Sequence, residues 1–180
     1  MTDYLQELIR LVSPPAVGAG TMADWETIER EIEQEIPLDP VEISLHYGSG
    51  QFVDREFALS IYNVFHPLYP SLVRYRRFVA EADIRADRRD GFHIEYDQPF
   101  PIGVFEYGLE EGCSNIFWDM KGPMEQWPLW LPTPSSRLQH FAMPLTEFLV
   151  KAFGGELEVS EFPKPFVDLR FVPFEEAPER

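Results

Sequence analysis

The sequence predicts an α+β fold, with an antiparallel or mixed sheet wrapped by helices. Three observations carry this. Helical spacing opens the chain, and period-two alternation dominates from Phe100 to Phe141. The order is helices, a strand, a helix, several strands, then a helix. Such segregation favours α+β over an alternating parallel α/β fold. The length of 180 residues fits one domain. Residues 1–20 read as an N-terminal helix and joint, and 21–180 as the domain itself.

Leu5, Leu8, Ile9 and Val12 follow helical spacing, with Thr2 as the expected cap and Pro14-Pro15 as the stop. Gly18 to Gly20 make a joint, so this helix reads as an appendage. Trp25, Ile28, Ile32 and Ile36 form the apolar stripe of a second helix, with Thr21 and Asp24 spaced as a capping box and Pro37 as its end. Asp39-Pro40 reads as N-cap and first residue of a short third helix, and Gly48 suits its C-terminal exit. Gly48 and Gly50 are both expected at positive φ.

Phe57, Leu59 and Ile61 alternate as a strand. A helix is expected from Ser71 to Arg85, with Leu72, Tyr75, Phe78, Val79 and Ala82 inside. Strands follow around Ile102 and Val104, Ile116 to Asp119, and Trp127 to Leu131. Pro144 opens a last helix, with Leu145, Phe148, Leu149, Ala152 and Phe153 inside and Gly154-Gly155 as its end. Val167, Leu169 and Phe171 alternate again.

The net charge is −16, from 31 acidic and 15 basic residues. This balance opposes binding to nucleic acid, whose phosphates require Lys and Arg. It also opposes an anionic membrane surface. It favours rapid encounter with a basic partner. The one basic region is the predicted helix near Arg74, Arg76, Arg77, Arg85, Arg88 and Arg89, tempered by Glu81, Asp83, Asp87 and Asp90. The single Cys113 forbids an intrachain disulfide and fits a reducing compartment. With no basic, apolar leader and no long apolar run, a cytoplasmic location is expected.

Motifs for catalysis are missing. His46, His66, His93 and His140 stand at no metal-binding spacing. Gly48-Ser49-Gly50 lacks the lysine of a phosphate loop, and Ser135-Ser136 lack a nucleophile elbow. No catalytic residue, metal or cofactor is therefore expected. An enzyme reading would rest on His93 with Glu95 or Asp97, where residues two apart on a strand share a face.

Two stretches resemble the SUKH superfamily, which includes the fungal Knr-type cell-wall regulators. The first runs through Trp25-Glu26, Ile28-Glu29, Ile36-Pro37-Leu38-Asp39 and Leu45, ending at Tyr47-Gly48-Ser49-Gly50. It is similar to that family's Trp-bearing helix, Leu-Pro-x-Asp-Tyr turn, second helix and Tyr-Gly-x-Gly exit. The second runs from Tyr107-Gly108 through Ile116-Phe117-Trp118-Asp119 and Gly122-Pro123 to Trp127-Pro128. It resembles the family's central hairpin. Asp39-Pro40 departs from the usual Asp-Tyr.

The resemblance implies a sheet wrapped by helices and a non-catalytic, protein-binding role. Bacterial members are commonly immunity proteins that neutralise a cognate toxin, often a basic nuclease. A cytoplasmic regulatory scaffold of the Knr type is the alternative. Trp25, Trp118 and Trp127 read as fold-making residues. The expected protein-binding surface is Glu106, Glu110, Glu111, Asp119, Glu125 and Trp130, in a region where Glu95, Asp97 and five of these residues face only Lys121 in charge.

Overall fold

The computed structural model describes residues 3–16, 25–55, 57–78, 99–107, 113–120, 122–132, 138–160 and 162–174. The fold is α+β, as expected. Helices α1 (Tyr4–Leu11), α2 (Trp25–Ile32) and α3 (Leu38–Tyr47) precede strands β1 (Gly50–Asp54) and β2 (Phe57–Ile61). Helix α4 covers residues 69–78. Strands β3 (Pro99–Tyr107), β4 (Cys113–Asp119), β5 (Leu129–Pro132) and β6 (Leu138–Phe141) follow, then helix α5 (Leu145–Phe153) and strand β7 (Arg170–Pro173).

The seven strands form one open sheet in the order β6-β5-β4-β3-β2-β1-β7. Every neighbouring pair is antiparallel. Strands β1 to β6 form a meander, and β7 returns to pair with β1. The β1–β2 turn is tight, with Asp54 opposite Phe57 and Arg55 at φ 54.

Strand β3 is central despite carrying Pro99 and Pro101. The pairing shifts register between Pro101 and Gly103, which accommodates a proline that cannot donate to the ladder. Gly103 is required by close approach. A Cβ there would lie 2.4 Å from the Ser60 carbonyl oxygen. Gly50 has the same kind of requirement, because a Cβ would strike the Phe171 ring at 2.5 Å. Gly48 takes the expected positive φ, at 75°, whereas Gly50 does not belong to the positive-φ glycines.

Alternation divides the sheet. One face presents Phe52, Leu59, Phe105, Ile116, Trp118 and Leu129 to the core. Helix α5 covers it through Phe148 and Phe153, and the segment after α5 adds Phe162 and Phe166. Tyr47 of α3 and Phe171 of β7 close on Phe52, with centroids 5.1 Å apart in each case. Asp54 is fully buried and accepts the Val167 and Asp168 backbone N–H groups at 2.7 and 3.2 Å. Those bonds fix the entry into β7.

Several local expectations change. Asp3, not Thr2, caps α1, accepting from the Gln6 N–H at 3.1 Å. Helix α1 is no appendage in its packing. It lies against α5, Leu8 is fully buried, and the Tyr47 hydroxyl donates to the Val12 carbonyl at 2.7 Å. The expected capping box at Thr21 and Asp24 lies outside the described residues, as do Val79, Ala82 and the rest of the predicted arginine-rich helix.

Within α4 the apolar face is rotated from the expected one. Tyr69 and Val73 are buried, while Tyr75 and Phe78 are 60% and 66% exposed. Segment 68–78 carries two overlapping apolar stripes, and the core takes the one through Tyr69 and Val73. Strand β7 starts at Arg170, later than the alternation from Val167 suggests. Strand β1 was not anticipated.

Leu8→Ala should cost about 2–5 kcal/mol, the range for truncating a fully buried leucine. Urea unfolding of the whole chain checks this. A loss below about 0.5 kcal/mol would mean that α1 contributes little to the domain.

Candidate functional site

An open cavity of about 560 Å³ lies among α2, the α2–α3 turn, the start of α5 and the turn before β5. Trp25, Trp118, Trp127, Ile36, Leu38 and Met124 supply its apolar walls. Glu29, Glu35, Asp39 and Glu125 supply carboxylates, and none of the described lining residues is basic.

Local sequence explains the rim. Helix α2 ends after Ile32, where Glu33 takes φ 56. The chain then turns back, and the Glu29 carboxylate accepts the Ile36 N–H at 2.7 Å. Glu29 is thus a bracket between helix and turn, not merely a solvated residue. Pro37 is the N-cap of α3, so Asp39 is the second residue of the helix and not the N-cap expected from the sequence. Freed from capping its own helix, Asp39 accepts the Thr146 N–H at the start of α5, at 3.2 Å. One carboxylate therefore ties the N-terminal ends of two helices, where the helix dipoles favour negative charge.

On the opposite side, Trp118 comes from β4, and Trp127 follows a 3-10 turn at Met124–Gln126. Their ring centroids are 6.5 Å apart. The Trp127 indole N–H donates to the Gly122 carbonyl at 3.1 Å, which fixes the turn carrying Glu125. The Trp25 indole nitrogen is buried with no acceptor among the described residues. Leu38 is 50% exposed at the cavity mouth.

Electrostatically, Asp39 is the distinctive group. Burial raises its pKa above the ordinary 3.8, with Glu147 adding to the rise, while the Thr146 and Leu145 backbone N–H groups oppose it. Glu42, one turn along α3, is also raised, first by burial and then by Asp39. Negative charge is thus crowded at this end of α3.

Of the six residues expected to form a binding surface, the four that the structure describes lie in different surroundings. Glu125 is exposed and lines the cavity. Asp119 is only 4% exposed. It shares the face of Phe117, and both are buried, so Asp119 is not part of an exposed acidic surface in this structure. Glu106 is exposed, and Trp130 is half-buried with its ring 4.7 Å from His140. Both lie on the sheet face opposite the main core. Their register partners on β4, Cys113 and Phe117, are four residues apart. That spacing corresponds to about 13 Å along the strand. Glu110 and Glu111 lie outside the described residues, as do His93, Glu95 and Asp97.

The residues that do converge are Trp25, Glu29, Asp39, Trp118 and Trp127; the sequence assigns the three tryptophans to fold-making and Asp39 to a helix cap, and gives Glu29 no role beyond its place in the first stretch. The available signal was their membership of the two family-like stretches. Those stretches are separated by residues 51–106, and residues of both line this cavity. Among the described residues, no group of three or more His, Cys, Asp or Glu is placed to hold a metal ion. No described helix is long and apolar enough to cross a membrane. No family model, curated protein or solved structure matches the chain.

Asp39→Asn should flatten the pH dependence of stability in the acid range. A raised native pKa gives a stabilising contribution that is complete below the ordinary aspartate value and lost as pH rises through the raised one. The Asn side-chain oxygen can still accept from Thr146. The variant should therefore gain relative to the parent as pH rises from acid to neutral. Urea unfolding at a series of pH values tests this, and a constant difference between the two proteins contradicts it.

Proposed function

We propose that this chain is a SUKH-type, non-catalytic protein-binding domain acting as a cytoplasmic immunity protein. Its partner is a cognate toxin with a basic surface, of which a nuclease is the type. The observation that carries the reading is the meeting of the two SUKH-like stretches in one open cavity. Three indoles and four carboxylates there form an apolar centre with a charged rim. Such an arrangement suits an interface, where a few desolvated anchors dominate affinity and rim charges set encounter rate and partner choice.

The net charge of −16 supports the same reading. An acidic protein attracts a basic enzyme over distances set by the Debye length, about 10 Å at 0.1 M salt. No catalytic group, metal or cofactor is part of this proposal. The interface is centred on the cavity with Glu125 at its rim. Glu106, Glu110, Glu111 and Trp130 remain candidates for its outer contacts.

The test is co-expression with the toxin-like product of the adjacent gene. Growth protection and a purified one-to-one complex are expected. Association should slow at least about tenfold when the exposed acids Glu106 and Glu125 are reversed to Lys and when salt is raised. Protection with no complex, or a complex indifferent to both changes, contradicts the proposed mode of action.

A further inference from the structure

We infer that the cavity between α2, α3, α5 and the β4–β5 turn is a receptor for a single arginine side chain presented by the partner protein. This deepens the binding role proposed above and rests on it for the identity of the partner, although not for the chemistry of the cavity.

Three features select a cation with a flat, apolar surface. The walls hold three indoles, and tryptophan is the aromatic ring that best attracts a cation placed over its face. The rim carries Glu29, Glu35, Asp39 and Glu125, with no basic residue among the described lining positions. Two of those acids are already oriented by backbone N–H groups, Glu29 by Ile36 and Asp39 by Thr146. They lose little freedom when a ligand arrives, so the site is prearranged for positive charge.

Arginine fits this chemistry better than lysine. A guanidinium is planar, stacks on an indole, is less strongly hydrated than an ammonium, and offers forked donors to carboxylates on more than one side. Its aliphatic stem suits the apolar wall formed by Ile36, Leu38 and Met124. The cavity of about 560 Å³ accommodates such a side chain with part of its carrying backbone. Burial raises the proton affinity of Asp39 in the free protein. A guanidinium beside it would restore the charge balance that desolvation disturbs.

The test uses the full chain with indole nitrogens labelled with ¹⁵N. Two short peptides, acetyl-Gly-Arg-Gly-amide and its citrulline counterpart, are titrated at low ionic strength. Citrulline keeps the shape of arginine and removes the charge. The arginine peptide should saturate in about the millimolar range and shift the Trp25, Trp118 and Trp127 indole signals. Trp130 lies away from the cavity and serves as an internal control. The citrulline peptide, and the arginine peptide with E35Q/E125Q protein, should each bind at least about tenfold more weakly.

Equal binding of the two peptides would overturn the inference, as would signals that move only at Trp130 or no saturation at any indole. Tighter binding of tetramethylammonium or the lysine peptide would replace arginine with another cation. Both substituted glutamates reside on exposed turns, so the double variant should retain its fold, which the unchanged Trp130 signal verifies. Toxin protection that survives a failed titration would leave the immunity reading standing and place its interface elsewhere. A successful titration with no toxin partner would do the reverse.

Discussion

The packing of Phe52 against Tyr47, Phe153 and Phe171 is the contact on which the remaining architecture depends. It joins β1 to the end of α3, the end of α5 and strand β7, with ring centroids between 5.1 and 5.4 Å apart. Tilted and edge-on rings at this spacing gain from their quadrupoles as well as from burial. The cluster fixes the C-terminal ends of α3 and α5 over the sheet. Asp39 and Thr146 then join their N-terminal ends. Two ties, one apolar and one polar, therefore set the pair of helices whose beginnings border the cavity.

A second aromatic group extends this core. Phe162 packs on Phe57, Phe105 and Phe148, although it follows α5 and belongs to no helix or strand. Asp54 holds the next stretch of chain by its backbone. The irregular segment between α5 and β7 is consequently a structural layer, not a loose connection. Its rings cover the sheet where no helix does, which lets a seven-stranded open sheet bury one face with few helices.

Charge and ring placement give the cavity its character. An acidic protein usually spreads its carboxylates over solvated faces. Here Glu29 and Asp39 are drawn inward because each satisfies a backbone N–H that the adjoining turn or helix start would leave unpaired. The result is negative charge beside three indoles. Binding adds to an arrangement that folding has already made.

Much of the local structure was legible in the sequence. The alternation of β2 follows from residue spacing because it buries every second residue, and the period of α5 because only Glu147 and Lys151 stay off its buried side. Helix α4 was harder. Its two overlapping stripes are equally helical, and only packing chooses Val73 over Tyr75. Asp119 failed for a related reason: alternation assigns a residue to a face but does not say whether that face is covered. The sequence by itself determined the α+β class, the strongly acidic balance and the family-like stretches around Trp25 and Trp118. Tertiary structure alone decided that these stretches meet, that Asp39 serves α5 instead of capping α3, and that Trp130 lies on another face. Periodicity encodes what each segment buries, whereas a site joining residues about ninety positions apart depends on strand register and helix docking, which no local pattern contains.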